Sequence, residues 1–271
     1  VVFFPTEKET HLGFLLQGPF RTTPARDNVP PRDETNRDIV EQAALLMVDM
    51  LLDLRAHSLL TPALLTSLPL EPVHFVGSML QPLHDATVQA FRDHALIPAE
   101  DGTHLRSAEV ALARTEGLRT LLDESQLSAL LGRPARWAAG DVDAAFQRFL
   151  TEVLSIPLLT PERMVPLMSE EFLASQGDAW IGELYSFLGG VPALSTRSGW
   201  NSPGPALRQP LLRLMDDSHR FPLDGDGQPN AWLPSDRARR LPQATASTLG
   251  QEGARKYLSS LGLREPDLIG E

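Results

Sequence analysis

Prolines at 24, 30 and 31 forbid helix over "FRTTPARDNVPP", and an apolar run begins directly beyond them. In "NRDIVEQAALLMVDMLLDLRAH", Val40, Ala43, Ala44, Met47, Leu51 and Leu54 recur at helical spacing on one face. The spacing predicts a helix from Asn36 to about His57. Thr35 stands as its N-cap, with Asp38 three residues on as a weak capping box. Ile39, Leu46 and Met50 widen the apolar face, which predicts burial on more than one side.

The rest of the chain is punctuated more often. "VVFFPT" and "LGFLLQGPF" read as strands, with "EKETH" turning the chain between them. "LLTPALLTSLPLEP" makes a short helix and a loop. Val76–His94 reads as helix, where Pro82 either kinks it or sets its true start. From 114 to 190 come short helices, several opened by Asp, Ser or Thr at the N-cap; Thr160-Pro161 is such a start and Gly189-Gly190 a stop. "STRSGWNSPGPALR", residues 195–208, reads as a linker or exposed loop. A last helix near Gln251–Leu261 is ended by Gly262. "LIPAEDGTHL" at 96–105 faintly resembles "LLRLMDDSHR" at 211–220, and each reads as an apolar strand entering a tight hairpin turn.

The fold class is therefore α+β, predominantly helical, with short N-terminal strands plus two hairpin-like insertions. Three regions follow: a strand, loop and long helix over 1–58, a helical region with a hairpin near 96–112 over 59–194, and a hairpin with a C-terminal helix over 195–271.

Composition narrows the chemistry. Thirty-five acidic against 24 basic side chains give a net charge of −11, which argues against general binding to nucleic acid or an anionic membrane. There is no cysteine, which excludes disulfides, thiolate zinc sites and cysteine nucleophiles and fits a reducing compartment, the cytoplasm. Asp49 and Asp53 interrupt the longest apolar stretch, so no segment reads as spanning a bilayer. The strand-like start Val-Val-Phe-Phe, without methionine or signal peptide, reads as a piece of a longer protein.

The candidate sites thin out quickly. Seven histidines (11, 57, 74, 84, 94, 104 and 219) show no HxxxH or HExxH spacing, so no metal site is expected. His104 and His219 follow acidic turns and would form a two-His, two-carboxylate site only if the fold brought them together. "DGDGQPN" at 224–230 lacks the glutamate that closes a calcium loop and reads as a turn. No GxSxG, GxxxxGK[ST] or GxGxxG occurs. "RARR" at 237–240 reads as a solvated charged stretch. What remains is Arg21 and Arg26 on a proline-framed loop, the kind of place from which an always-charged guanidinium forks onto phosphate oxygens.

"FLLQGPFRTTPARDNVPPRDETNRDIVEQAALLMVDML" resembles the segment that follows the ATPase core in sacsin-like, heat-shock-chaperone-like proteins. There a strand leads to a Thr/Ser-x-x-Arg-[Asp/Glu]-x-[Val/Ile] stretch, an Asn a few residues on, and a long helix. Here those are Thr23, Arg26, Asp27, Val29 and Asn36. "LRQPLLRLMDDSHRFPLDGDGQPNAWLP" and "ARKYLSSLGLREPDL" look like recurring pieces of bacterial members. The resemblance implies a GHKL domain upstream that holds ATP and Mg. Arg26 would be offered to the γ-phosphate in cis, with Arg21 as fallback and Thr23, Asp27 and Asn36 supporting the loop. Pro30 stands where the related ninety-kilodalton chaperones carry a glutamine. The fragment alone would hydrolyse nothing and would bind a client. The alternative is a helical protein–protein interaction module with no role in nucleotide turnover. A third reading, nucleic-acid handling by a defence-type ATPase, needs a basic face that the net charge disfavours.

Overall fold

The computed structural model describes residues 6–140, 142–197, 203–235 and 241–266. The fold is α+β and mostly helical, with a few short strands. It divides into two compact units, Val1–Leu112 with Ala135–Leu158, and Ala113–Pro134 with Leu159–Glu271. These bounds fall away from residues 58 and 194, where composition placed them. The Gly- and Pro-rich stretch after 194 is tied down where it is described: the Gly204 N–H donates to Thr196 O at 3.1 Å, and Ala206 and Leu207 are buried.

In the first unit the long helix runs Glu34–Ala56. Its N-cap is Asp33 and not Thr35; the Asp33 carboxylate accepts the Asn36 N–H at 3.1 Å and satisfies one of the orphan donors of the first turn. Val40, Ala44, Met47 and Leu51 are buried along one stripe, each large side chain contributing about 2 kcal/mol. Leu46 and Met50 remain 66% and 39% exposed, so the helix is covered on one side and not around. Helix Gln81–Asp93 packs against it. Pro82 lies in that helix's first turn, where a missing N–H costs nothing, so the proline sets the start and does not kink the middle.

The expected strand over Leu12–Phe20 does not form. Leu12, Phe14, Leu16 and Phe20 do pack on the core, so the apolar run was a true burial signal. An extended segment satisfies it without a ladder, tied by the Gly13 N–H to Ser67 O at 3.0 Å, and Pro19 has no N–H to give a partner strand. The other expected strand, "VVFFPT", lies outside the described residues except for Thr6.

The short helices start and stop where their caps indicate. Asp123 makes a capping box with Gln126, Thr160 and Ser169 cap theirs, and Gly132 ends a helix at φ 64°. "DVDAAFQRFLTEVL" departs from regularity: helix Ala144–Arg148 runs on into a π-helical turn, Phe149–Val153. Both anticipated hairpins are present. Ile97–Pro98 pairs antiparallel with His104–Leu105 in the first unit, and Leu212–Arg213 with His219–Arg220 in the second.

In the second unit helix Asp178–Gly189 packs on helix Glu252–Ser260. Gly182 lets the 3-10 turn Ala246–Leu249 come close to the first of these helices, since a Cβ would stand 2.6 Å from Thr248 O. The buried Tyr185 hydroxyl donates to Leu211 O at 2.8 Å and accepts the Arg213 N–H at 2.9 Å, joining helix to hairpin. Among the described residues no helix is long and apolar enough to cross a membrane.

Candidate functional site

The loop from Arg21 to Pro30 is closed by one side chain. Asn36 is fully buried at the start of the long helix. Its Oδ1 accepts the Arg21 N–H at 2.8 Å, and its Nδ2 donates to Arg21 O at 2.9 Å and to Pro30 O at 3.1 Å. The amide thus pairs with both backbone groups of Arg21 as a neighbouring strand would, and holds the two ends of the loop together.

The loop also braces itself. The Arg26 N–H donates to Thr23 O at 2.9 Å, and the Thr23 N–H to Asn28 O at 3.1 Å. The Thr23 hydroxyl donates to the Asp27 carboxylate at 2.5 Å. Asn28 Oδ1 accepts the Val29 N–H at 2.9 Å. Arg21 leans on Asp33, Nη1 to Oδ2 3.5 Å, so Asp33 both caps the helix and balances the first arginine. Arg26 is exposed, and its backbone is left-handed at φ 59°.

Thr23, Asp27, Arg21 and Asn36 are therefore brought into one hydrogen-bonded loop that carries Arg26. Pro30 contributes its carbonyl to the Asn36 clamp. Two residues were not singled out by sequence. Asp33 follows Pro30-Pro31 closely, and a carboxylate just beyond a helix-forbidding pair was the available signal for the cap. Arg37 donates Nε to Pro31 O and Nη2 to Arg32 O, each at 3.3 Å; a lone arginine in a helix's first turn gives no such sign in sequence. Beside it an open cleft of about 510 Å³ is lined by Arg32, Arg37, Glu41, Ser78 and Gln81.

The other candidates turn structural. His104 and His219 belong to different units, and each ring bonds a carbonyl, Leu60 O and Pro210 O, both at 3.2 Å. Among the described residues no group of three His, Cys, Asp or Glu could hold a metal ion. Asp224 accepts the N–H groups of Asp226 and Gln228 and closes "DGDGQPN" as a turn. "RARR" lies outside the described residues. The Asp101 carboxyl is held down to about 2, first by the Thr103 hydroxyl, then by the Thr103 N–H and by Arg136 at 2.6 Å. That is turn chemistry, not a poised acid. No family model matches the chain, and no curated protein or solved structure matches it.

Proposed function

We propose that this chain is the middle region of a cytoplasmic GHKL-type, sacsin-like ATPase, and that Arg26 reaches the γ-phosphate of an ATP held with Mg by an upstream domain. The observation that carries the reading is the left-handed backbone of Arg26 at the exposed tip of a braced loop. Glycine adopts that conformation freely, whereas an arginine pays about 1 kcal/mol for it. Retaining a strained cation there is accounted for if its side chain is used.

The guanidinium stays charged at any physiological pH and forks onto phosphate oxygens as negative charge redistributes in phosphoryl transfer. ATP, with its Mg, supplies the phosphoryl group. Thr23, Asp27, Arg21 and Asn36 act as positioning residues; by fixing the loop beforehand they spare the reaction the entropy of ordering it. The exposed Leu45, Leu46 and Met50 on the long helix give a client an apolar surface. The same exposed residues favour the second reading, a helical interaction module with no part in nucleotide turnover.

Full-length protein carrying Arg26→Gly or Arg26→Ala separates the two. The expected outcome is turnover at least tenfold lower, about 1.4 kcal/mol or more, with ATP affinity little changed. Arg26→Gly should also raise the melting temperature by removing the strain. Unchanged turnover in the folded variants makes the loop a corner of the fold and leaves the interaction module.

A further inference from the structure

We infer that the two units contain two copies of one structural module, which the sequence shows only as a faint pair of hairpins. In the first copy Ile97 pairs with Leu105 and Pro98 with His104; in the second Leu212 pairs with Arg220 and Arg213 with His219. The turns match bond for bond. The Ala99 N–H donates to Thr103 O at 2.9 Å, and the Leu214 N–H to Ser218 O at 2.9 Å. The Asp101 carboxylate accepts the Thr103 N–H and hydroxyl at 3.0 and 2.6 Å; Asp216 accepts the same groups of Ser218 at 3.1 and 2.6 Å. The next residue is left-handed in both, Gly102 at φ 79° and Asp217 at φ 64°.

The match continues where no sequence likeness survives. Ala99 bridges Ala138 antiparallel, and Leu214 bridges Ala244. The Ala139 N–H reaches Pro98 O at 2.8 Å, and the Thr245 N–H reaches Arg213 O at 3.0 Å. Ala111 lies parallel to Trp137, and Trp232 parallel to Gln243. The Leu112 N–H then donates to Pro157 O at 3.2 Å, and the Leu233 N–H to Arg264 O at 2.9 Å. A helix precedes each hairpin and another precedes each return segment, and an aromatic contact joins the two: Phe91 to Phe149 at 5.4 Å, Tyr185 to Tyr257 at 5.9 Å. Both return segments leave their helix through a left-handed residue, Ser155 at φ 57° and Gly262 at φ 90°.

One irregularity supports the correspondence. Counting from Phe149 and Tyr257, the first copy needs one residue more to reach its left-handed stop. The π-helical turn Phe149–Val153 supplies it, because a π turn is an α-helix with a residue inserted. Antiparallel, parallel and return pairings recurring in the same order, with the surplus residue located, are a register and not a shared turn type. Neither copy includes Arg26 or Asn36, so the duplication stands apart from the nucleotide reading.

Each copy closes its own hydrogen-bonded frame, so each should open on its own. Hydrogen exchange by mass spectrometry on the whole chain tests this with Phe149→Ala and Tyr257→Ala. Phe149→Ala should speed exchange at least tenfold around Leu112, Ala138 and Ile156 and less than twofold around Leu233, Ala244 and Leu263. Tyr257→Ala should give the mirror result. If an alanine variant fails to fold, Phe149→Leu and Tyr257→Phe carry the same comparison with smaller shifts. Equal loss of protection in both sets from either variant overturns the inference, as does loop-like exchange of either set in the wild type.

Discussion

The two hairpin frames differ most in the row of side chains on the outer side of each strand trio. In the first unit that row is Glu100, Trp137 and Ala111, with Trp137 only 6% exposed and Ala111 buried. In the second it is Met215, Gln243 and Trp232, with Met215 60% and Trp232 39% exposed over a buried Gln243. Gln243 accepts the Ser235 N–H at 2.8 Å. Backbone pairing and turn chemistry therefore build the same frame twice, while the side chains decide separately how much of its outer row is covered: Glu100 and Met215 are both exposed, but Trp137 is buried and Trp232 is not.

That comparison breaks most readily at the tryptophans. Trp137→Ala should cost about 3–5 kcal/mol in urea unfolding, as expected for a buried aromatic, and Trp232→Ala about 1 kcal/mol or less. Equal losses would mean that the outer row of the second unit is as tightly packed as that of the first.

A smaller effect sharpens it. Ser155→Gly places in the first copy the residue that the second already has, and should gain about 1 kcal/mol by relieving the left-handed serine. Asp217→Gly, the corresponding exchange in the other direction, should gain less, because Asp217 also receives Arg213 Nη2 at 3.0 Å. Thermal melts of the two variants give the order directly.

The smallest effect is on pH dependence. His219 is held below the ordinary histidine value, first by burial and then by the Arg213 charge. Its neutral form is the one that folds, so its contribution is complete above about pH 6.5 and is lost as pH falls through the lowered folded value. Arg213, Glu170 and Asp217 are the charged groups that act on it. Stability measured at pH 7.5 and pH 5 should fall less on acidification for His219→Gln than for the wild type.

Sequence made the hairpins legible because Asp-Gly-Thr and Asp-Asp-Ser turns after apolar residues have a local cause. It made the short helices legible through their caps. The rest of the module was hidden: a bridge such as Trp232 with Gln243 pairs single residues, and single residues have no period to read. The cap of the long helix was misplaced by two residues because Thr35 and Asp33 are both good caps, and only the carboxylate's reach to the Asn36 N–H decides between them. At the candidate site, Asn36 could be assigned to loop-holding from its place near the helix start. The strained backbone of Arg26 could not, since no rule of composition puts an arginine where glycine is easier.

The interleaving of the units sets a schedule for synthesis. The first unit is interrupted after Leu112 and resumes at Ala135, ending at Leu158, so its core lacks Phe146, Phe149 and Leu150 until that last segment has left the ribosome. At about 5–20 residues per second the wait is roughly 2–9 s. During that time Phe91 lacks its ring contacts to Phe146 and Phe149, and the core that Val40 and Leu51 belong to stays incomplete. A ribosome that pauses between 113 and 158 would lengthen that wait in proportion.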